Sequence, residues 1–308
     1  MRPAWSILLF TTLSGTAQGL LLALAVYSWL MPLHTGFALT AIALAEVLLV
    51  GGLLASFFHL GQKARAWRAA AMWRTSWMSR EVIVLPLLMG GVALWWLALY
   101  LGASTLALQV LSAAVVGVTL ALWVCTAMIY ACLRFLQEWA HPLTVINFTL
   151  LGMSSGSVLL CALASATGQT ALLAWLQPWV LASTLLAWFL RRQALRRNAR
   201  LSPLSSLQSA TGIHRPQLVQ KSMGMSAGSF NTREFFHGAT ARTVRRMPWV
   251  FQLLLFALPL LLLALLGTQS ALVWLGAVLL QFIGLLAERW VFFAQARHPQ
   301  NLYYQTVS

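Results

Sequence analysis

Residues 56–81 contain the side chains of this sequence that are best suited to proton-coupled chemistry. The segment reads SFFHLGQKARAWRAAAMWRTSWMSRE and places a histidine, five cations and three tryptophans between two apolar runs. An imidazole titrates near neutral pH, so it both donates and accepts protons there. Because His59 follows one apolar run and Glu81 precedes the next, we expect both at the membrane–water boundary. A quinone headgroup reaches that depth and takes up protons with electrons, so we predict a quinone site at His59.

The residues around His59 favour this interpretation over the alternative, which is a solvated histidine at a helix end. Gly61 allows another molecule to approach the backbone closely, and Arg65 supplies positive charge. Glu81 opens the next helix, where the helix dipole favours a carboxylate. We therefore expect Gly61, Arg65 and Glu81 to share the site with His59.

Three tryptophans follow His59 along the same segment. Trp67, Trp73 and Trp77 are typical of an interfacial helix whose rings lie at headgroup depth, and Trp73 and Trp77 are spaced to share one helix face. They either anchor the segment in the lipid interface or form a wall of the quinone cavity.

Two other places contain ionisable side chains within apolar runs. Glu46 lies about 20 Å from His59 along a helix that rises 1.5 Å per residue, nearer the far face of the membrane. It is either a proton relay or a protonated carboxyl group that is hydrogen-bonded between helices. In the last apolar run, Glu288 and Arg289 are expected to pair at the same membrane edge as His59 and to help close the cavity.

The composition is that of an integral membrane protein. Of its 308 residues, 60% are hydrophobic and only 8% are charged, whereas soluble domains contain about 25% charged residues. We predict one all-α membrane domain with eight transmembrane helices, because a span requires about 20 apolar residues. The eight spans cover residues 5–33, 37–58, 82–101, 106–133, 143–166, 170–190, 248–266 and 271–293. Gly152 and Gly156 form a GxxxG pair in the fifth span, which predicts close helix packing.

The distribution of cations predicts the orientation of this bundle. The sequence contains 20 Lys and Arg residues, and with eight spans all of them fall on one side of the membrane. The positive-inside rule assigns that side, and both termini, to the cytoplasm. The basic character therefore reflects topology, and the lack of an RNA- or DNA-binding motif argues against a nucleic-acid partner.

Several cofactor and function classes do not fit the sequence. The six histidines lie at helix ends or in connections, whereas a membrane cytochrome b needs histidine pairs near the middle of the bilayer. Cys125, Cys132 and Cys161 lie in apolar runs without a CxxC pair, so we interpret them as packing residues. We therefore expect no haem or metal in this chain. A transporter usually contains several charges within the membrane, and here only Glu46 lies deep.

The long polar connection at residues 191–247 is predicted to be a cytoplasmic segment that docks a partner. Its part MGMSAGSFNTREFFHGA, residues 223–239, mixes aromatic and charged side chains, unlike a low-complexity linker. The residues expected to contact the partner are Phe230, Arg233, Glu234, Phe235 and Phe236. The alternatives are a disordered basic linker and, for the arginines between residues 191 and 200, binding to anionic lipid headgroups.

Three short motifs accompany the eight spans. They are HLG at residues 59–61 followed by RAW at 65–67, SWMSRE at 76–81 and ERWVFFAQA at 288–296. Together they resemble the DmsC-like membrane anchors of DMSO-reductase-type molybdoenzymes, and the resemblance covers most of the chain. It implies quinone contacts at the histidine of HLG, the arginine of RAW, the glutamate of SWMSRE and the arginine of ERW. These are His59, Arg65, Glu81 and Arg289.

The resemblance also implies partners for this chain. Such an anchor carries no metal and exchanges electrons between an exchangeable quinone and the nearest iron–sulfur cluster of a ferredoxin-like subunit. The molybdopterin catalytic centre belongs to a further subunit. We expect residues 62–80, with their tryptophans, and residues 223–239 to form the contact with the iron–sulfur subunit.

The predicted orientation differs from that of the family's DMSO reductase anchors, whose HLG face is implied to lie in the periplasm with the catalytic subunits. Here the cations place this face in the cytoplasm, which resembles the anchors of cytoplasmic sulfite dehydrogenases. The resemblance thus implies a bacterial inner-membrane subunit that passes electrons from sulfite oxidation to quinone. The alternatives are a reductase anchor that oxidises quinol for DMSO or a related acceptor and, from another class, an ion-translocating transporter that uses Glu46.

Both termini are expected in the cytoplasm, because a Lys or Arg at the centre of the bilayer costs roughly 2.5 to 3.5 kcal/mol even on insertion scales. Reporter fusions at Ser308 measure this orientation. Alkaline phosphatase, which needs export, should be inactive, and a fluorescent protein that matures only in the cytoplasm should be bright. An active phosphatase fusion would contradict the orientation.

Overall fold

The computed structural model describes residues 1–58, 62–222 and 230–304. Within these ranges every regular element is helical and no β-strand is present, which confirms the all-α class. His59 and Gly61 lie outside the described residues, as do residues 223–229 of the predicted docking segment.

Eight helical crossings of the described chain are long and apolar enough to span a membrane, as predicted. In chain order the α-helices are α1 (Trp5–Leu30), α2 (Thr35–Phe57), α3 (Trp77–Tyr100), α4 (Thr105–Ala131), α5 (Pro142–Ala166), α6 (Thr170–Asn198), α7 (Leu207–Thr211), α8 (Phe230–Glu234), α9 (Ala241–Gln252), α10 (Leu258–Leu266) and α11 (Ala271–Ala294). The seventh crossing is composite, because a π-helical turn at Leu253–Ala257 joins α9 to α10. The other crossings are α1 to α6 and α11.

Three crossings extend beyond the apolar runs that predicted them. Helix α3 begins at Trp77 and α9 at Ala241, because Ser76 and Thr240 cap these helices by accepting a hydrogen bond from the backbone N–H three residues further on. Helix α6 continues to Asn198 through a run of arginines. Hydropathy marks only the part of a helix that lies in hydrocarbon, whereas the helix itself continues for as long as its backbone bonds and caps are satisfied.

Helix α1 packs on α5 through glycines. A Cβ atom added to Gly156 would lie 2.2 Å from the backbone nitrogen of Leu20, and one added to Gly19 would lie 1.9 Å from the carbonyl oxygen of Gly152. These distances leave no room for a side chain, so the two backbones touch. The close packing predicted for the GxxxG pair is therefore present, with Gly19 as its partner on α1.

Hydrogen bonds place both termini at one end of the bundle. The N-terminal amine of Met1 donates to the carbonyl oxygen of Ala296 at 2.9 Å. The connection between α4 and α5 lies at the same end, because the backbone N–H of Arg297 donates to the Glu138 carboxylate at 3.4 Å. All 20 Lys and Arg residues of the sequence belong to this end, since the crossings alternate in direction. We call it the cation-rich end, and it comprises residues 1–4, residues 288–304 and the described parts of residues 58–80, 132–141 and 191–246.

Substituting alanine for Gly156 should destabilise the bundle, because the added methyl group would overlap the backbone of α1. Overpacking of this kind costs about 1–3 kcal/mol. Gly117→Ala in α4 is the matched control, since no atom lies within 4 Å of the added Cβ. Thermal unfolding of the two purified variants in detergent measures the difference. Equal midpoints for both variants would show that α1 and α5 do not need this contact.

Candidate functional site

Glu81 lies in the second turn of α3 and is buried against α4. Its carboxylate accepts a hydrogen bond from the hydroxyl group of Thr126, and the residue is only 9% exposed. The prediction that Glu81 opens the helix is wrong, because the cap at Ser76 starts α3 one turn earlier. The carboxylate therefore faces a neighbouring helix, where a proton can be held away from bulk water.

An aromatic cluster lies near both Glu81 and Arg289. Its central residue is Tyr130, whose ring lies 5.7 Å from that of Phe148 and 5.4 Å from that of Phe292, measured between centroids. Tyr130 lies one turn along α4 from Thr126, the partner of Glu81, and the ring of Phe148 contacts the Arg289 guanidinium. The structure thus brings two of the predicted site residues to the neighbourhood of one aromatic cluster.

Arg289 belongs to a buried ion cluster. Glu288 Oε1 lies 2.6 Å from Nε of Arg191, and Glu288 Oε2 lies 3.4 Å from Nη1 of Arg289. The pairing of Glu288 with Arg289 was expected from the sequence, but the closer partner is Arg191 on α6. The Arg289 guanidinium also lies 3.7 Å from the ring centroid of Phe148, a cation–π contact. The three charged side chains are 1–3% exposed, so the cluster is shielded from solvent.

The ion cluster is incompletely paired. Two guanidinium groups share one carboxylate, which leaves one net positive charge if all three groups are ionised. Within the described residues, Nη2 of Arg191, Nε of Arg289, Oε2 of Glu288 and Oδ1 of Asn147 make no hydrogen bond. The contact between Arg191 Nε and Glu288 is short but is not aligned as a hydrogen bond. Unpaired buried polar atoms are costly, so the cluster is suited to accept water.

A narrow crevice leads to this cluster from the cation-rich end. Its walls include Glu138, His141, Arg197 and Asn147, and its free volume is about 10 Å³, which is close to the minimum for one water molecule. Burial, together with the positive charge of Arg197, lowers the pKa of His141. The crevice therefore fits water but not a quinone ring.

The other predicted site residues do not join this cluster. Arg65 is exposed on a 3₁₀ helix at Lys63–Ala70 and forms no ion pair within the described residues. Glu46 is half-buried in α2, and its Oε2 has no hydrogen-bond partner in the described part of the chain. Cys125 and Cys161 are buried, as predicted, whereas Cys132 is exposed because α4 ends at Ala131.

The tryptophans of the 62–80 segment do not form one interfacial helix. The 3₁₀ helix ends at Ala70 and α3 begins at Trp77, so Trp73 lies in the turn between them and the predicted shared face with Trp77 is wrong. Trp67 and Trp73 are 71% and 53% exposed. The Arg80 side chain donates to the carbonyl oxygen of Trp73 at 2.9 Å, and thereby holds the turn in place.

The described part of the second docking segment folds onto the C-terminal residues. The ring of Phe235 stacks on that of His298 with centroids 3.7 Å apart, and its carbonyl oxygen accepts a bond from Asn301. Burial and the N-terminal positive charge lower the pKa of His298, so the stacked imidazole is favoured in its neutral form. Phe236 packs beside Tyr304. Phe235 and Phe236 thus fix the segment to the chain itself.

The other predicted docking residues lie on the short helix α8. Phe230 and Arg233 are exposed there, whereas Glu234 is half-buried and accepts a backbone hydrogen bond from Arg2 through its carbonyl oxygen at 3.0 Å. The surface that a partner can reach is therefore smaller than the sequence predicted.

Sequence reasoning missed Arg191, Thr126 and Asn147. The fall in hydropathy assigns Arg191 to the connection after the sixth span, although α6 continues through it and buries it. A hydroxyl or amide side chain in an apolar helix is common, so Thr126 and Asn147 gave no distinct signal. Spacing was the available clue, since Asn147 and Ser154 lie seven residues apart on one face of α5.

The fold and these contacts define a multi-pass helical membrane protein whose polar and aromatic groups converge at one end. Among its described residues, no group of three or more His, Cys, Asp or Glu side chains could hold a metal ion. The chain belongs to the family described as DMSO reductase anchor subunit (DmsC), whose model matches residues 1–295. It is 47% identical, over 329 aligned positions that cover both chains completely, to a sulfite dehydrogenase subunit from Allochromatium vinosum.

Replacing Arg191 by methionine should strongly destabilise the bundle, because it leaves Glu288 with only the longer contact to Arg289. Breaking a buried ion pair costs about 3–5 kcal/mol. Arg134→Met, an exposed arginine, should change stability by less than about 0.5 kcal/mol. Denaturation midpoints in detergent measure both. Glu288→Met should cost more than Arg191→Met, because it leaves both buried guanidinium groups without a carboxylate, and a smaller loss would contradict the shared partner.

Proposed function

We propose that this chain is the quinone-reactive membrane anchor of a molybdopterin and iron–sulfur oxidoreductase, and that it passes electrons from sulfite oxidation to the quinone pool. The observation that carries the proposal is the similarity, over the full length of both chains, to a sulfite dehydrogenase subunit. Sulfite and water yield sulfate, two protons and two electrons. A quinone that accepts two electrons and two protons becomes quinol, so the reaction balances.

In this proposal His59 and Glu81 donate and accept the protons of the quinone reaction. Glu81 is buried on α3, and among the described residues Thr126 is the hydrogen-bond partner of its carboxylate. The 3₁₀ helix that follows His59 and Gly61 in the sequence contacts α3, the helix that carries Glu81. His59 then contacts a quinone oxygen, Gly61 allows close approach, and Glu81 orients or relays the proton.

The arginines supply positive potential to the same region. Arg289 is buried and pinned by Glu288 and Phe148, whereas Arg65 is exposed and can approach a ligand by changing its rotamer. A negative charge that develops on the quinone oxygen is stabilised by fixed positive charge in a site of low dielectric. The partner subunits would deliver the electrons, so the residues of this chain need only bind the quinone and handle charge and protons.

The exposed parts of the cation-rich end form the proposed docking surface. Trp67 and Trp73 on the 62–80 segment, with Phe230 and Arg233 on α8, offer the aromatic and arginine side chains that are enriched at interfaces. We assign this end to the cytoplasm of a bacterial inner membrane from its cations. The iron–sulfur subunit would dock there, with the molybdopterin subunit beyond it.

An anchor that oxidises quinol for a DMSO-type reductase would use the same residues with electrons flowing in the opposite direction. The family match alone is compatible with it, and the sulfite dehydrogenase relative favours the sulfite reaction. Sulfite-dependent quinone reduction by the intact purified complex distinguishes the two. The transporter alternative gains no support from Glu46, whose carboxylate forms no ion pair within the described residues.

His59→Ala and Glu81→Gln should each lower quinone-linked turnover of the intact complex by about 100-fold, the equivalent of about 2.7 kcal/mol. The reason is loss of a positioned proton donor or acceptor. Dye-linked sulfite oxidation, which bypasses the membrane anchor, should remain, and both rates are measured on the same preparation.

Glu46→Gln is the matched control for these variants, because it neutralises another membrane carboxyl group outside the proposed site. It should leave both activities unchanged, and a loss of quinone-linked turnover there would favour a proton relay at Glu46. A normal rate of quinone-linked turnover in His59→Ala would contradict the role proposed for His59.

Combined Trp67→Ala, Trp73→Ala and Arg233→Ala substitutions should release the iron–sulfur subunit from membranes, because they remove exposed interface side chains and leave the Phe235 and His298 stack in place. Retention of the soluble subunits after membrane washing measures the contact. The control is Tyr100→Ala, an exposed aromatic residue at the opposite end of the bundle. Wild-type retention in the triple variant would place the partner elsewhere.

A further inference from the structure

The arginines of α6 divide into an inward and an outward set. Arg191 is buried in the ion cluster, and Arg197 donates to the carbonyl oxygen of Gln137 at 3.1 Å. Arg192 and Arg196 are exposed and lie four residues apart, so they share one face of α6, and Arg200 is exposed just beyond the end of the helix. The continuation of this face towards the bilayer contains Phe189 and Leu185, which are also exposed.

Helix α9 shows the same arrangement. Arg242, Arg245 and Arg246 are exposed in its first two turns, and the exposed residues Trp249 and Leu253 follow on the same face. The opposite face carries Phe251, which is fully buried. Both helices therefore present arginines above a stripe of aromatic and aliphatic side chains, on faces that point away from the bundle.

The two faces belong to neighbouring helices. The indole N–H of Trp188 donates to the side-chain oxygen of Gln252 at 3.4 Å, and its ring stacks on that of Phe256 at 5.8 Å. On the inner side, the Arg191 guanidinium lies 5.5 Å from the ring centroid of Phe251. Helix α6 thus packs against α9 and the π-helical turn, which sets the two rows of arginines beside one groove.

The exposed arginines of this groove have no acidic partner. All five acidic residues of the sequence are glutamates in the described ranges, and the two salt bridges found there both involve Glu288. Six positive charges therefore remain unneutralised at the membrane edge. These charges lie directly above lipid-facing side chains, an arrangement that matches an amphiphile with an anionic head and apolar tails. A soluble partner would contact the end of the bundle and not its side.

We propose that the groove between the C-terminal part of α6 and α9 binds an anionic phospholipid, with its phosphate at Arg192, Arg196 and Arg246 and its acyl chains along Phe189 and Trp249. Arginine offers several donors to phosphate oxygens, and basic pockets at helix ends retain anionic lipids. The site is independent of the proposed quinone chemistry, since it contains none of the residues assigned to it.

Native mass spectrometry tests this site, on the purified chain for lipid binding and on the intact complex for retention of the partner subunits. The probes are phosphatidylglycerol and phosphatidylcholine with identical acyl chains, added to detergent micelles at equal concentrations. The wild-type protein should retain phosphatidylglycerol at least tenfold better than phosphatidylcholine. This preference should disappear in a triple variant that combines Arg192→Gln, Arg196→Gln and Arg246→Gln. The matched control is a triple variant that combines Arg68→Gln, Arg134→Gln and Arg215→Gln. It removes the same charge from exposed residues elsewhere at the cation-rich end, so the preference should stay within about twofold of the wild-type value.

Three results would overturn the proposal. They are no headgroup preference in the wild type, equal losses in both triple variants, which indicates diffuse charge, and loss of partner subunits with unchanged lipid binding, which indicates a protein contact. If the triple variant does not fold, the single Arg196→Gln variant is compared with Arg134→Gln, and an undiminished preference in Arg196→Gln counts against the site.

Discussion

One carboxylate, that of Glu288, joins α6 to α11 at the cation-rich end, and the geometry of that end depends on it. Burying a guanidinium costs several kcal/mol unless a partner compensates, and here two arginines share this one partner. Arg289 gains a second contact from the face of the Phe148 ring on α5. The depth of Arg289 is therefore set by three helices together, so its position is rigid without any ligand.

The ion cluster is one of two polar layers in α5, α6 and α11. It is the layer nearer the cation-rich end, and we call the other the lower layer. In the lower layer the hydroxyl groups of Ser154 and Thr184 are hydrogen-bonded at 2.7 Å, and the side-chain amide of Gln281 donates to the Ser154 hydroxyl at 3.3 Å. On each helix the two layers are seven residues apart in the sequence. The positions are Asn147 and Ser154 on α5, Thr184 and Arg191 on α6, and Gln281 and Glu288 on α11. Seven residues correspond to two turns, or about 10.5 Å. Sliding one helix along its axis would break both layers at once, so the layers fix the register of α5, α6 and α11. Apolar packing alone distinguishes poorly between registers in lipid.

The sequence was sufficient for the coarse structure but not for the position of each charge. Eight apolar runs predict eight crossings because the bilayer demands that length, and GxxxG spacing predicts close packing of α5 but not that its partner is α1. The burial of Glu81 and Arg191 was not predictable from hydropathy, since each lies in a polar extension of a helix. Their environment depends on Thr126 and Glu288, which are distant in sequence. The side chain of His59 lies outside the described residues, so its role remains a proposal from its motif.

The contacts of Glu81 and Arg289 imply different roles for them under the proposed function. Glu81 has a hydroxyl partner on α4 and belongs to the helix that contacts the 3₁₀ helix after the HLG motif, so it would be suited to transfer a proton by direct contact. Arg289 is held by Glu288 and by the face of the Phe148 ring, so it would act through its electric field. At an effective dielectric constant of about 20, unit charges about 10 Å apart still interact by roughly 1.7 kcal/mol. A fixed cation would therefore favour negative charge on a nearby quinone without occupying the space that the ring and its proton donors require.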